Sequence, residues 1–406
     1  MDDNKENKEN QKNAAVYNLL VETKYSWDNY LSLPEYLKNS FEHYHKHIMA
    51  LEGYVKQKVF ENLEISVGLQ TKIFEVVIHY LRGEIPAAYD SMKVAFELVE
   101  NILIQKSAKC IPEFGKFVFK ARDQKEKKQP PTSRTDMFHI PFEKRHLVNS
   151  QRFSISGIPS IYLGESIYNC YEELQKPALD KFWVSLFHFP QSDGTSKGIK
   201  LVDLTFAYQQ HKIPLLLHEV IKNEEKYAAV VNNLVNDILL WPLIMACSIT
   251  CRYPEAPFKQ EYIVPQMLYQ LCSASGNFNG VKFYSTKLEH LDRSKLQSAM
   301  INYALPAQDV KASGYCPILA GQLCLTEPIK AESCCDEEIE SKVGYNTTNG
   351  LPIISARCDK LKDNETILAL DRMTMHFDNL MLEKDLKAFR PLYGYKEDNQ
   401  ISSVPE

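Results

Sequence analysis

The residues best suited to chemistry lie between Asn149 and Glu173. Arg152 is followed by the aromatic Phe153, Gly157 and Pro159 form a turn, a short apolar run carries Tyr162, and Ser166 stands where it would cap a helix reaching Glu172 and Glu173. A cation, an aromatic ring and a carboxylate are thereby directed toward one end of a strand. An arginine fork pairs bidentately with phosphate oxygens, and a tyrosine ring stacks on a flat heterocycle. A glutamate holds ribose hydroxyls, or stabilises a sugar that becomes oxocarbenium-like as its base departs. This reading suits a nucleotide without specifying which. Spacing favours Glu173 over Glu172, and helix register decides between them.

In order and spacing, Arg152-Phe153, Gly157, Pro159, Tyr162, Glu165-Ser166 and Glu173 resemble the active-site segment of the RES domain family, named for a recurring Arg, Glu and Ser. Upstream, Val118-Phe119-Lys120-Ala121-Arg122 resembles the family's first strand, which carries another arginine. Downstream, Gly280 to Ser285 resembles the later strand that delivers the serine. The resemblance spans roughly residues 110–330. It implies an α+β, ADP-ribosyltransferase-like mixed β core and cleavage of the nicotinamide–ribose bond of NAD by water or phosphate. NAD is then a substrate and no cofactor is needed. Projected residue by residue, it gives Arg122 and Arg152 to the pyrophosphate or ribose and Tyr162 to the nicotinamide. Glu173 falls to the cationic ribose, and Ser285 to the nicotinamide pocket or the acceptor. Many members are toxins restrained by an antitoxin.

The positioning elements follow from periodicity. Residues 1–13, mostly Asp, Asn, Lys, Glu and Gln, read as a disordered tail. Residues 14–109 read as an all-α module. In it Phe41, Tyr44, Ile48, Leu51, Val55 and Val59 mark one long amphipathic helix, and further stripes run from Ile73 to Leu81, ended by Gly83, and from Tyr89 to Leu103 after Pro86. After Cys110 the pattern becomes strand-like at residues 116–119, 160–163, 182–186, 281–284 and 300–303, with a helix opening at Tyr262. This is the expected catalytic domain, residues 110–330. Residues 331–406 read as a C-terminal extension with a polar insert at 334–349, one helix from Ile367 to Leu380, and a frayed end after Tyr395.

Several function classes fall away. A formal charge of -5 argues against a broad nucleic-acid surface. The ten cysteines lack the paired spacing of a zinc site and read as reduced thiols of a cytoplasmic protein, since the polar start is no signal peptide. The apolar run Ile238–Ile249, interrupted by Pro242, is too short for a membrane span and reads as core. His43, His45 and His47 fit a surface helix better than a metal site, and Asn346-Thr347-Thr348 is a chance sequon. The loop at Lys125 to Lys128 reads as solvated, and His139 as part of a loop packed by Phe138 and Phe142. An RNase centre of the HEPN type in the N-terminal helices is disfavoured, because Arg82 is the only arginine before Cys110 and no histidine follows it closely.

The leading expectation is therefore an NAD glycohydrolase or phosphorylase, toxin or antiviral effector, with NAD and inorganic phosphate as small-molecule partners. An antitoxin or regulatory protein, or a second copy of the chain, would be the macromolecular partner. The alternatives are transfer of ADP-ribose to a macromolecule, and a nucleotide-sensing interaction protein without turnover.

Overall fold

The structure, a computed structural model, describes residues 2–22, 31–107, 117–125, 129–189, 199–207, 224–287, 300–309, 311–334, 365–382 and 390–391. The chain forms two compact units: residues 1–108 with 202–277, and residues 109–201 with 278–406. The first boundary falls where composition changes. Residues 202–277, expected within the catalytic domain, group instead with the N-terminal helices, so the sheet-bearing unit is discontinuous in sequence.

The helical unit contains α1 (Asp2–Glu22), α2 (Leu33–Met49), α3 (Gly53–Glu61), α4 (Leu63–Leu81), α5 (Ile85–Ser107), α7 (Glu224–Ser248) and α8 (Ile263–Ser275). The expected disordered tail is the first half of α1. Its polar composition is offset because Asn13 exchanges two hydrogen bonds with the Glu52 backbone, while Tyr17, Leu20 and Val21 are buried. The single long helix expected around residues 41–59 is two, because Ala50 closes α2 and Gly53 turns left-handed at φ 57°. A hydrophobic stripe alone cannot register such a break.

The run around Pro242 belongs to a 25-residue helix, α7, longer than the expected apolar segment. Its length and composition would suffice to cross a membrane, yet 83% of the apolar window is buried inside the protein. Trp241 stacks on Tyr44 with ring centroids 5.1 Å apart. Asp237, fully buried, accepts from the Tyr17 hydroxyl at 2.5 Å and pairs with the Lys106 ammonium, which also donates to the Thr205 carbonyl. That partnering allows an ion pair inside a helical core.

The second unit is built on an antiparallel sheet. Its strands are β1 (Phe117–Asp123), β2 (Ser160–Gly164), β3 (Phe182–His188), β5 (Gly280–Tyr284), β6 (Ile301–Pro306), β7 (Cys324–Leu325), β8 (Ile329–Lys330) and β9 (Arg390–Pro391). They run in the order β5-β6-β2-β1-β3-β7-β9 among the described residues, with β8 also on β3. A short strand, β4 (Leu201–Asp203), carries the chain into the helical unit. The fold is thus α+β.

Alternation along the strands gives the sheet two faces. On one face lie α6 (Ile167–Glu173) and α10 (Glu365–Leu382), and Phe119, Val184 and Leu186 pack with Ile167, Leu370, Met373 and Phe377 in one core. Each such side chain contributes about 1.5–3 kcal/mol by burial. The helix expected in a C-terminal extension is therefore part of this unit's core. Lys127, Lys128, the polar insert from residue 335 onward and the end after Tyr395 lie outside the described residues.

Candidate active site

Helix α6 starts as its sequence directs. Ser166 adopts an extended N-cap conformation, and its hydroxyl accepts from the Asn169 amide at 3.0 Å. Gly164, the last residue of β2, lets the helix lie close: a Cβ there would stand 2.8 Å from Cys170 Sγ. Cys170 is sealed against the sheet, donating to the Phe119 carbonyl, and burial pushes its thiol up to about 12. The thiol is a packing group, with no thiolate available near neutral pH.

Successive helix residues point about 100° apart, and this separates the two glutamates. Glu172 turns into the interior, where Oε1 accepts from the Tyr168 hydroxyl at 2.5 Å and lies 3.2 Å from Lys176 Nζ. Glu173 turns toward β5 and β6. Its Oε1 accepts from Ser285 Oγ at 2.7 Å and from Asn302 Nδ2 at 2.8 Å, while Oε2 lies 3.4 Å from Lys287 Nζ. Lys287 also donates to the Glu173 carbonyl oxygen. The carboxylate of Glu173 remains one-third exposed, so it is held without being sealed.

Asn302, Asn169, Lys287 and Thr286 escaped the sequence reading. Asn302 bonds Glu173 with its amide nitrogen, and its amide oxygen accepts from Asn169 Nδ2 at 2.8 Å. Asn169, fully buried, donates also to the Ile301 carbonyl at 3.0 Å. An asparagine in an apolar strand beside Tyr303 gave a weak signal, because a polar residue facing a core needs a partner that one sequence does not reveal. Lys287 gave less still, as one more surface cation.

Arg152 approaches from the loop before β2. It is buried, and Nη2 donates to Thr286 Oγ1 at 3.2 Å, adjacent to Ser285. The loop is fixed by Gly157 at φ 82°, by Phe153 packed on Phe283 at 4.4 Å, and by the Phe153 amide, which donates to the Tyr162 hydroxyl at 3.1 Å. Register places Tyr162, Gly164, Asn302 and Phe283 on one face of the sheet, the face that carries α6. Arg152, Tyr162, Glu173 and Ser285 therefore belong to one neighbourhood, joined by Asn302, Thr286 and Lys287.

Arg122 does not join them. Phe119 opposes Gly164, so Phe119 and Ala121 share the site's face while Lys120 and Arg122 project from the other. There Lys120 donates to the Phe138 carbonyl. Burial pushes the Arg122 guanidinium down, against the favourable charges of Asp136 and Tyr315. His139 lies on that side too. Its Nδ1 donates to the Ile140 carbonyl at 2.7 Å, and its Nε2 accepts from the Cys316 amide at 2.8 Å. These bonds fix one neutral tautomer, and burial lowers the imidazole to about 4. His139 is a structural residue, as its loop sequence indicates. Among the described residues no cluster of metal-ligating groups occurs.

The arrangement offers a fixed, accessible carboxylate flanked by a hydroxyl, a carboxamide and the Lys287 ammonium, with the Arg152 guanidinium held at neighbouring Thr286. That set can hold vicinal hydroxyls, stabilise a developing positive charge and attract an anionic substrate. Neither a family model nor a solved structure matches this chain. It is 34% identical over 207 residues to the Bacillus subtilis (strain 168) protein designated "Putative toxin YopC". The similarity covers 50% of this chain and 44% of that protein, so the chain spans less than half of its relative's length. The likeness is consistent with a toxin.

Proposed function

We propose that this protein is a toxin-like enzyme that consumes NAD by cleaving the nicotinamide–ribose bond, in the manner of RES domain proteins and on an ADP-ribosyltransferase-like core. The observation that carries the reading is the Glu173 carboxylate held by Ser285 and Asn302, with Arg152 one residue away at Thr286. In this reading Glu173 binds the nicotinamide ribose. As the C1′–N bond breaks and its electron pair leaves with nicotinamide, the carboxylate stabilises the positive charge left on the sugar. Water or phosphate then adds to C1′, water giving up a proton in doing so. Arg152 and Lys287 supply positive charge for the pyrophosphate, and Tyr162 lies on the same sheet face for contact with the nicotinamide ring.

The name of the Bacillus subtilis protein supports the toxin half of the proposal, since a cell that loses NAD stops growing. A toxin of this kind is held in check by an antitoxin or regulatory protein and acts in the cytoplasm, where NAD is found. Purified protein should convert NAD to nicotinamide plus ADP-ribose, or to its phosphorylated form when phosphate is present, as read by mass spectrometry. Glu173→Gln, which keeps the size and loses the charge, should abolish conversion while circular dichroism stays unchanged. Full activity in that folded variant would overturn the assignment. Labelled ADP-ribose on a macromolecule would redirect it to transfer.

A further inference from the structure

We infer that the exposed face of the α4/α5 hairpin in the helical unit is a self-association surface that joins two copies of this chain antiparallel across α4. Val67, Phe74 and Leu81 recur every seven residues along α4 and are 43%, 36% and 42% exposed. Seven residues make nearly two turns, so these side chains form one stripe along the helix. Leu98 of α5 packs instead at Gly68, about a third of a turn round the helix from the stripe, where a Cβ would meet Leu98 Cδ1 at 3.1 Å. Isolated exposed apolar residues are ordinary. A seven-residue repeat of them on a helix whose opposite side is buried resembles the seam of a helix pair.

Charge identifies the second copy as the occupant. Glu64 and Arg82, both exposed, stand eighteen residues apart at opposite ends of the stripe. Eighteen residues are about five full turns, so both flank the stripe on the same side. A two-fold axis near Phe74 turns α4 of one copy antiparallel to α4 of the other, keeping that side in common. Each Glu64 then faces the partner copy's Arg82, twice per dimer. A parallel arrangement would leave the two Glu64, and the two Arg82, on opposite sides of the seam with no counter-charge opposite either. The stripe fits its own inverted image.

The size fits a weak, reversible dimer. A 19-residue helix is about 28 Å long and about 10 Å wide, giving on the order of 300 Å² per copy. A standard interface buries about 800 Å² per partner, so association in the upper micromolar range is expected.

Sedimentation equilibrium of the full chain from about 1 to 100 µM should show a monomer–dimer equilibrium, weakened at least tenfold by Phe74→Asp. Arg82→Glu and Glu64→Arg should each weaken it severalfold, whereas the double variant Glu64→Arg/Arg82→Glu should restore most of the affinity. That rescue depends on antiparallel pairing of this chain with itself, and both charged positions are exposed, so folding is not at stake. A monomer at every concentration would overturn the inference, as would a dimer indifferent to Phe74→Asp or a double variant no better than the singles. A monomer that instead binds an unrelated protein through this face would also overturn it.

Discussion

Glu173 ends a seven-residue helix, where the peptide dipoles oppose a negative charge by about 0.3–1 kcal/mol. Ser285, Asn302 and Lys287 offset that cost, which marks the position as one selected for more than helix stability. Asn302 is a positioning residue in this account, itself oriented by Asn169. Asn302→Ala should lower kcat for NAD cleavage roughly tenfold, about one hydrogen bond to a charged group, with KM changed far less. Asn302→Asp sets a second carboxylate against Glu173 and should shift the acid limb of the pH–rate profile upward, because a like charge disfavours ionisation. Unaltered profiles in both variants would reduce Asn302 to packing.

His139 makes a separate residue-scale prediction. Its pKa is about 4 in the folded protein, depressed by burial from the ordinary 6.5. Its contribution is present above pH 6.5 and is lost as pH falls through 4, since the unfolded chain takes up the proton first. The difference amounts to about 3 kcal/mol. Urea midpoints measured from pH 7 to 4 should fall more steeply for the native protein than for His139→Gln, whose amide oxygen can still accept from Cys316.

At the scale of elements, the site depends on α6 lying flush against β1 and β2. Gly164→Ala would drive a methyl group toward Cys170 Sγ and the Ser166 carbonyl, the latter 3.4 Å away. It should cost about 1–3 kcal/mol and shift Glu173 away from Ser285. Thermal melting and the proposed NAD turnover should therefore fall together, and a variant with native melting but no turnover would contradict the packing explanation. Much of this element level was legible in the sequence. Ser166 as a cap, Gly157 at a left-handed turn and the strands carrying Tyr162 and Ser285 all follow from local chemistry that each segment carries with it. The break between α2 and α3 and the helicity of the first thirteen residues were not legible, since partners such as Glu52 lie about forty residues from Lys12 and Asn13.

At the scale of the molecule, two long-range decisions stand out. Residues 202–277 leave the sheet-bearing unit and return to it, and α10 comes back from beyond residue 364 to complete the core over β1 and β3. A chain ending at residue 330 would expose Phe119, Val184 and Leu186. It is expected to lose near-ultraviolet circular dichroism and to aggregate, although it retains Arg152, Tyr162, Glu173 and Ser285. A soluble, cooperatively melting product would show that α10 is dispensable.

The sequence by itself determined the local grammar of this protein: helix against strand, the cap at Ser166, the turn before Tyr162, and Arg152, Tyr162 and Glu173 as residues fit for nucleotide chemistry, Ser285 being added only by the family resemblance. These are properties of neighbouring residues and of two periods, 3.6 and 2. Tertiary structure alone decided that Glu173 and not Glu172 meets Ser285, that Asn302 and Lys287 complete the cluster, and that Arg122 lies across the sheet. Each of these depends on register between strands distant in sequence. A shift of one residue exchanges the faces, and no single segment encodes which partner it will meet.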